Sequence, residues 1–183
     1  TGEISVYNDG EGISIELHET GVFIPELIFG HLLTSSNYED DKNAPKHVGG
    51  KNGYGAKLTN IFSKKFKIET VDKYTAKSFS MTFYDNMKRK DPPIIKKCKG
   101  KPFTRITYTP DYALFKETGL SNDMIKIIEK RAYDLAGCTD NSVAIILNGK
   151  RIECKSFERY IDLFIGSKTD TIRAFEKVND RWT

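Results

Sequence analysis

Gly49-Gly50-Lys51-Asn52-Gly53-Tyr54-Gly55-Ala56-Lys57 is the stretch on which the fold turns. Leu58, Ile61 and Phe62, which follow it, recur at helical spacing over 56–63, so the glycines open a helix. Backbone N–H groups freed by glycine at a helix N-terminus form a site for phosphate, and Lys51 and Lys57 add positive charge. The stretch is not the G-x-x-x-x-G-K-[ST] loop, because Gly50 is followed at the required distance by Gly55-Ala56. Nor is it a dinucleotide fingerprint: a polar loop precedes it in place of a strand, and no βαβ alternation follows. Taken alone, a plain glycine hinge is the competing reading.

Upstream lies the polar stretch 34–50, with Glu39-Asp40-Asp41 and the lone Pro45. It is too long and polar for a tight connection, which predicts a mobile loop or lid. Before it, Pro25 opens a short helix in which Leu27, Ile28, His31 and Leu32 are suitably spaced. Residues 4–7 read as a short buried strand running into Asn8-Asp9-Gly10-Glu11-Gly12. A carboxylate and alternate glycines at a strand end approximate a D-x-G-x-G pattern. The carboxylate can accept from an exocyclic amine such as that of adenine, and the glycines let backbone approach a flat base. The same letters also suit an ordinary turn.

Downstream, 66–70, 77–84 and 104–109 alternate with period two, and Phe79, Met81 and Phe83 fall on one side as core residues. Residues 87–105 carry eight lysines and arginines against Asp91 alone. They read first as a solvated loop between strands and second as a contact for DNA phosphate. Ser121 caps a helix over 122–135 that Gly137 can stop, and Asn148-Gly149 joins 143–147 to 151–154 as a type I′ hairpin. A helix over 157–164 follows. The segment 169–183 ends in an unfinished strand whose Trp182 packs in a sheet. The class is α+β, with a mostly antiparallel or mixed sheet and helices on one face.

The 183 residues make one domain, or one domain plus the start of another, and 38% hydrophobic content supplies a sizeable core. No apolar run is long enough to span a bilayer, so no membrane partner is expected. The net charge of +4 suits a polyanionic partner without identifying one. Cys98, Cys138 and Cys154 form no zinc pattern, and their odd number argues against a disulfide framework and for a reducing compartment. With Thr1 first and strand-like sequence beginning almost at once, the chain reads as a piece of something longer.

The base-binding pattern, the lid and the glycine-rich phosphate loop together resemble the GHKL ATPases. The match sharpens in Ile28-Phe29-Gly30-His31-Leu32-Leu33-Thr34-Ser35-Ser36-Asn37-Tyr38 and in 49–63, which resemble the eukaryotic type II DNA topoisomerase family almost letter for letter. The resemblance continues through 131–138, 147–150 and 178–182. It implies a GHKL (Bergerat-type) ATP-binding domain over 1–155, lacking its N-terminal part, and the start of a transducer domain over 156–183. By matching motif, Asn8 and Asp9 would lie at the nucleotide base and ribose, and Ser35, Ser36 and Asn37 would contact the nucleotide. Gly50, Lys51, Asn52, Gly53, Tyr54, Gly55, Ala56 and Lys57 would wrap the phosphates. The resemblance also implies ATP and Mg²⁺ as cofactors, a homodimer closing an N-terminal gate, and double-stranded DNA as the partner of the full-length protein. It implies a nuclear location too, with a viral origin left open.

The family's general base and Mg²⁺-binding asparagine lie on a helix upstream of the base motif, and only eight residues precede Asp9 here. The family's transducer Gln-Thr-Lys loop does not occur before Thr183 either. No catalytic residue is assigned, and the chain alone is expected not to turn over ATP. The alternative is a non-catalytic, truncated GHKL module that binds nucleotide or DNA.

Overall fold

Alternating apolar and polar residues on either side of a tight turn build the central hairpin of this chain. The computed structural model describes residues 2–32, 34, 50, 52–154, 156–176 and 178–179. β1 (Ile4–Asn8), α1 (Ile24–Gly30) and α2 (Tyr54–Ile61) lead into the hairpin of β2 (Ser63–Asp72) and β3 (Lys77–Tyr84). In its antiparallel register Phe66 faces Phe83, Ile68 faces Met81 and Thr70 faces Phe79. Cross-strand partners point to the same side, so these residues line one face, while Lys65, Lys67 and Glu69 line the other. β4 (Arg89–Lys90) and β5 (Ile94–Lys97) both pair with β3. β6 (Phe103–Pro110) takes the free edge of β2 and β1 closes the sheet beyond it, giving the order β1-β6-β2-β3-β4. All of these pairings are antiparallel.

The chain divides into two compact units, Thr1–Gly119 and Leu120–Thr183. In the first, Ile15, Phe66, Ile68, Phe79, Met81 and Phe83 form the buried core, including the three β3 residues expected there. α1 covers it: the Phe29 ring lies 5.9 Å from Phe66, and Phe23 just before the helix lies 6.2 Å from Phe79. Pro25 occupies the first turn, where its missing N–H costs nothing. Gly30 is a close approach, since a Cβ there would come within 2.9 Å of the Phe83 ring.

Two expectations need correcting in this unit. The strand at 4–7 is not buried, and Val6 is 60% exposed, because β1 has a neighbour on one side only. The basic run at 87–105 is not one loop, since it contributes β4, β5 and part of β6, and the sheet distributes its cations between two faces.

The second unit packs α3 (Asn122–Cys138) and α4 (Phe157–Ile165) with the hairpin of β7 (Ile146–Leu147) and β8 (Lys150–Arg151) around Ala136, Ile152 and Cys154. Ser121 Oγ accepts from the Met124 N–H at 3.2 Å, the expected N-cap. Asn148 and Gly149 have φ of 49° and 79°, as a type I′ turn requires. Among the described residues 167–176 and 178–179 no strand forms, and Trp182 with the rest of the expected final strand lies outside the described residues.

Gly137 does not stop α3, which runs on to Cys138. Its role is packing, because a Cβ there would lie 2.6 Å from the Tyr160 Cβ of α4. The same approach of the helices brings the Tyr160 hydroxyl to Asp134, whose carboxylate also takes Lys130 Nζ at 2.8 Å. The Lys130 hydrogen bond, followed by that of Tyr160, holds the Asp134 carboxyl below its ordinary range.

Gly137→Ala should destabilise this unit. Alanine gains about 1 kcal/mol of helix propensity over glycine, but overpacking costs roughly 1–3 kcal/mol. Denaturant unfolding should therefore show a net loss of about 1 kcal/mol. A stabilised variant would show that Tyr160 moves aside without cost.

Candidate functional site

The residues expected to bind nucleotide fall on two segments. The first is the turn after β1. Asn8 ends that strand opposite Thr104, and its Oδ1 accepts from the Gly10 N–H at 3.2 Å. The side chain two positions before the first glycine is therefore Asn8, and Asp9 is the exposed carboxylate that follows it. Gly12 adopts φ +78°, and a Cβ there would fall 2.0 Å from the Val71 carbonyl oxygen. Only glycine lets the turn lie this close on the end of β2.

Further bonds hold the turn in place. The Ile13 N–H donates to Thr70 Oγ1 at 3.0 Å, and the Ile15 N–H to Asp72 Oδ2 at 3.3 Å. Burial alone would raise the Asp72 pKa, but hydrogen bonds from Thr75, Tyr74 and Ile15 outweigh it and hold the carboxyl below its ordinary value. Glu11 accepts from Lys73 Nζ at 2.6 Å and from the Tyr74 hydroxyl at 2.9 Å. The Lys73 bond lowers the Glu11 pKa and raises that of Lys73.

The second segment is the start of α2. Gly53 precedes it at φ +66°, in the left-handed region, and among the described residues no side chain caps the helix. The first N–H groups of a helix have no intrahelical partner, so an uncapped end favours an anion. Tyr54, Gly55 and Ala56 are exposed there, and a Cβ at Gly55 would meet open space. Lys57 is the exception on this segment: it is 3% exposed, and its Nζ donates to the Gly53 carbonyl at 2.9 Å. Burial lowers its pKa, and among the described residues no carboxylate pairs with it. A buried ammonium that no carboxylate among the described residues neutralises, at an uncapped helix start, is suited to multiply charged anions.

Asn60 joins this segment to α1. It is fully buried, and its Nδ2 donates to the Phe29 carbonyl at 3.0 Å, one of the orphaned acceptors at the end of α1. Its Oδ1 has no hydrogen-bond partner among the described residues. Glu26, also buried, anchors α1 from the other side through Lys90 Nζ at 2.7 Å. Neither residue was singled out from sequence. The only signal for Asn60 was a polar residue inside the apolar Leu58–Phe62 spacing, and Glu26 had none.

Among the described residues, no hydrogen bond joins Asn8 or Asp9 to 53–57. Ser35, Ser36, Asn37 and Lys51 lie outside the described residues, as does most of the expected lid. Gly50 and Asn52 are described and exposed.

An antiparallel sheet covered on one face by helices, with a glycine-bound turn at a strand end and a glycine-started helix over a buried lysine, defines a GHKL-type ATPase domain. No family model matches the chain. It is 49% identical to DNA topoisomerase 2 of Arabidopsis thaliana and 46% identical to DNA topoisomerase 2-alpha of Gallus gallus, each over 98% of this chain. It spans only 13% and 12% of those proteins. Among solved structures, the ATPase region of Saccharomyces cerevisiae topoisomerase II bound to ICRF-187 matches with a TM-score of 0.89 and 42% identity, over 97% of this chain and 47% of that one. The ATPase and transducer domains of DNA topoisomerase II from Balamuthia mandrillaris match with a TM-score of 0.81 and 40% identity, over 90% of this chain and 42% of that one. The chain belongs to the eukaryotic DNA topoisomerase II family and corresponds to part of its ATPase region.

Proposed function

We propose that this chain binds ATP as part of a type IIA DNA topoisomerase. In that enzyme, ATP binding and hydrolysis drive dimerisation at an N-terminal gate and passage of one DNA duplex through a transient break in another. The observation that carries the reading is Lys57, buried with no carboxylate partner among the described residues at the uncapped start of α2. Asn8 and Asp9 serve the base and ribose in this proposal, Ser35, Ser36 and Asn37 contact the nucleotide, and Gly50 to Lys57 hold the phosphates through backbone N–H groups and the ammonium. The division at 155/156 between ATP-binding domain and transducer is likewise proposed.

Mg²⁺ belongs to the proposal as the companion of the triphosphate. No cluster of three acidic, histidine or cysteine side chains among the described residues is placed to hold it. No helix among the described residues is long and apolar enough to cross a membrane. The homodimeric state, double-stranded DNA as the partner of the whole enzyme and a nuclear location complete the proposal.

Calorimetric titration of the 183-residue chain with ATP and Mg²⁺ tests the binding. Saturable one-to-one binding is expected, and it should weaken when ADP or AMP replaces ATP, since fewer charges then reach Lys57. No heat and no thermal shift at millimolar ATP, or equal affinity for AMP, would overturn the reading.

A further inference from the structure

The helix-covered face of the sheet is committed to the core and the candidate site, but the opposite face is open. On it the register places Tyr7 beside Arg105 and Ser5 beside Thr107 on β1 and β6, then Lys65, Lys67 and Glu69 on β2. Ile95 packs into the core, so its neighbour Lys96 points to the open face, opposite Ser78. The basic run that the sequence presents as one block is therefore split. Lys90 lies on the core side and is held by Glu26, whereas Arg105 and Lys96 join Lys65 and Lys67 on the open face, as does Arg89, which pairs there with Asp85 and Asp91.

Three cations of this face, Lys65, Lys96 and Arg105, lack an ion-pair partner among the described residues, whereas Lys67 pairs with Glu69 at 2.7 Å. The Arg105 guanidinium lies 5.2 Å from the Tyr7 ring centroid and 5.7 Å from that of Phe103, which holds it over the sheet without neutralising it. Hydroxyls fill the ground between the cations, with Ser5 Oγ and Thr107 Oγ1 bonded at 3.0 Å. The residues around Arg105 and Lys65 form a shallow polar concavity in which Lys65, Lys67 and Arg105 outnumber Glu3 and Glu69. Such a surface is poorly suited to another protein's apolar core. Fixed cations interleaved with hydroxyl donors suit a regular array of phosphates.

We infer that the open face of the sheet, centred on Arg105, Lys65, Lys67 and Lys96, is a docking surface for the phosphate backbone of double-stranded DNA. Its cations meet phosphate and not base edges, so binding is independent of base sequence and steeply dependent on salt. The inference shares with the proposed function the choice of DNA as partner. It needs no nucleotide, so the two can fail separately.

The test is fluorescence anisotropy of a duplex of about 20 bp, titrated with the full chain between about 50 and 200 mM salt. Lys65→Gln/Arg105→Gln should weaken binding about tenfold or more at the lower salt. It should also flatten the log–log salt slope by nearly 2, about 0.9 for each phosphate that is no longer neutralised. Lys99→Gln/Lys101→Gln removes the same charge from the connection between β5 and β6 and should change affinity less than about twofold. Equal losses in both pairs would reduce the effect to net charge and overturn the proposal, as would no loss in the first pair. Equal competition by a polyglutamate peptide would overturn DNA as the partner. If thermal melting shows that Arg105→Gln perturbs the fold, Lys65→Gln/Lys96→Gln carries the same expectation. ATP affinity should be unchanged in every variant, so a chain that binds DNA but not ATP would sink the proposed function and leave this surface standing.

Discussion

Lys57→Met should weaken ATP binding roughly 10- to 100-fold while making the ligand-free chain more stable. A charge-assisted hydrogen bond to phosphate contributes about 1.5–3 kcal/mol, and each 1.4 kcal/mol is about a factor of ten. The opposite effect on stability follows from burial. The Lys57 ammonium is removed from water with the Gly53 carbonyl as its one hydrogen-bond partner among the described residues, and burial lowers its pKa. The unfolded chain therefore holds that proton more readily than the folded one. Below the depressed pKa the folded state carries the full desolvation penalty, and stability rises with pH as the proton leaves, up to the ordinary lysine value. Methionine fills much of the same volume without charge, so the variant should be about 1 kcal/mol more stable at neutral pH. The gap should close in strongly alkaline buffer. Titration calorimetry and denaturant unfolding on the same samples check both halves. A variant that loses stability and affinity together would mean that Lys57 is a structural tie to Gly53 and not a group held ready for phosphate.

Gly12→Ala should cost about 3 kcal/mol or more, enough to unfold a marginal domain. Two penalties combine here. A left-handed φ is unfavourable for alanine, at roughly 1–2 kcal/mol, and the new Cβ would sit 2.0 Å from the Val71 carbonyl oxygen, so the turn and the end of β2 would have to separate. That separation also strains the Ile13–Thr70 and Ile15–Asp72 bonds. Gly10→Ala is the control within the same motif. Its nearest atom is Asn8 Oδ1 at 3.1 Å, the end of a side chain that can yield, so a small loss is expected. Urea unfolding of the two variants should separate them by about 2 kcal/mol or more, and similar midpoints would show that the turn is not seated on β2 in solution.

The two glycine motifs were legible because each depends on local chemistry. Glycines at 53 and 55 before Leu58, Ile61 and Phe62 mark a helix start, and α2 begins at Tyr54. The β3 boundaries at 77 and 84 followed from strict alternation, and Phe79, Met81 and Phe83 are core residues as their spacing indicated. Gly137 misled because a glycine near a helix end reads as a stop, and nothing local reveals the Tyr160 ring that requires it inside α3. Residues 4–7 misled because strand alternation does not say whether a strand lies inside a sheet or at its edge.

Local patterns in the amino-acid order were thus enough to establish the α+β class, the main elements, the glycine motifs and the family they belong to. Each rests on residues close together in the chain, where helix and strand periods and backbone freedom are set. Only the tertiary structure decided that Lys57 is buried with no carboxylate beside it among the described residues, that Asn60 ties α2 to the end of α1, that Gly12 lies against Val71, and that Arg105 shares a face with Lys65. These depend on which strands pair and in which register. A register is chosen by packing across the whole sheet, so no local stretch of sequence contains it.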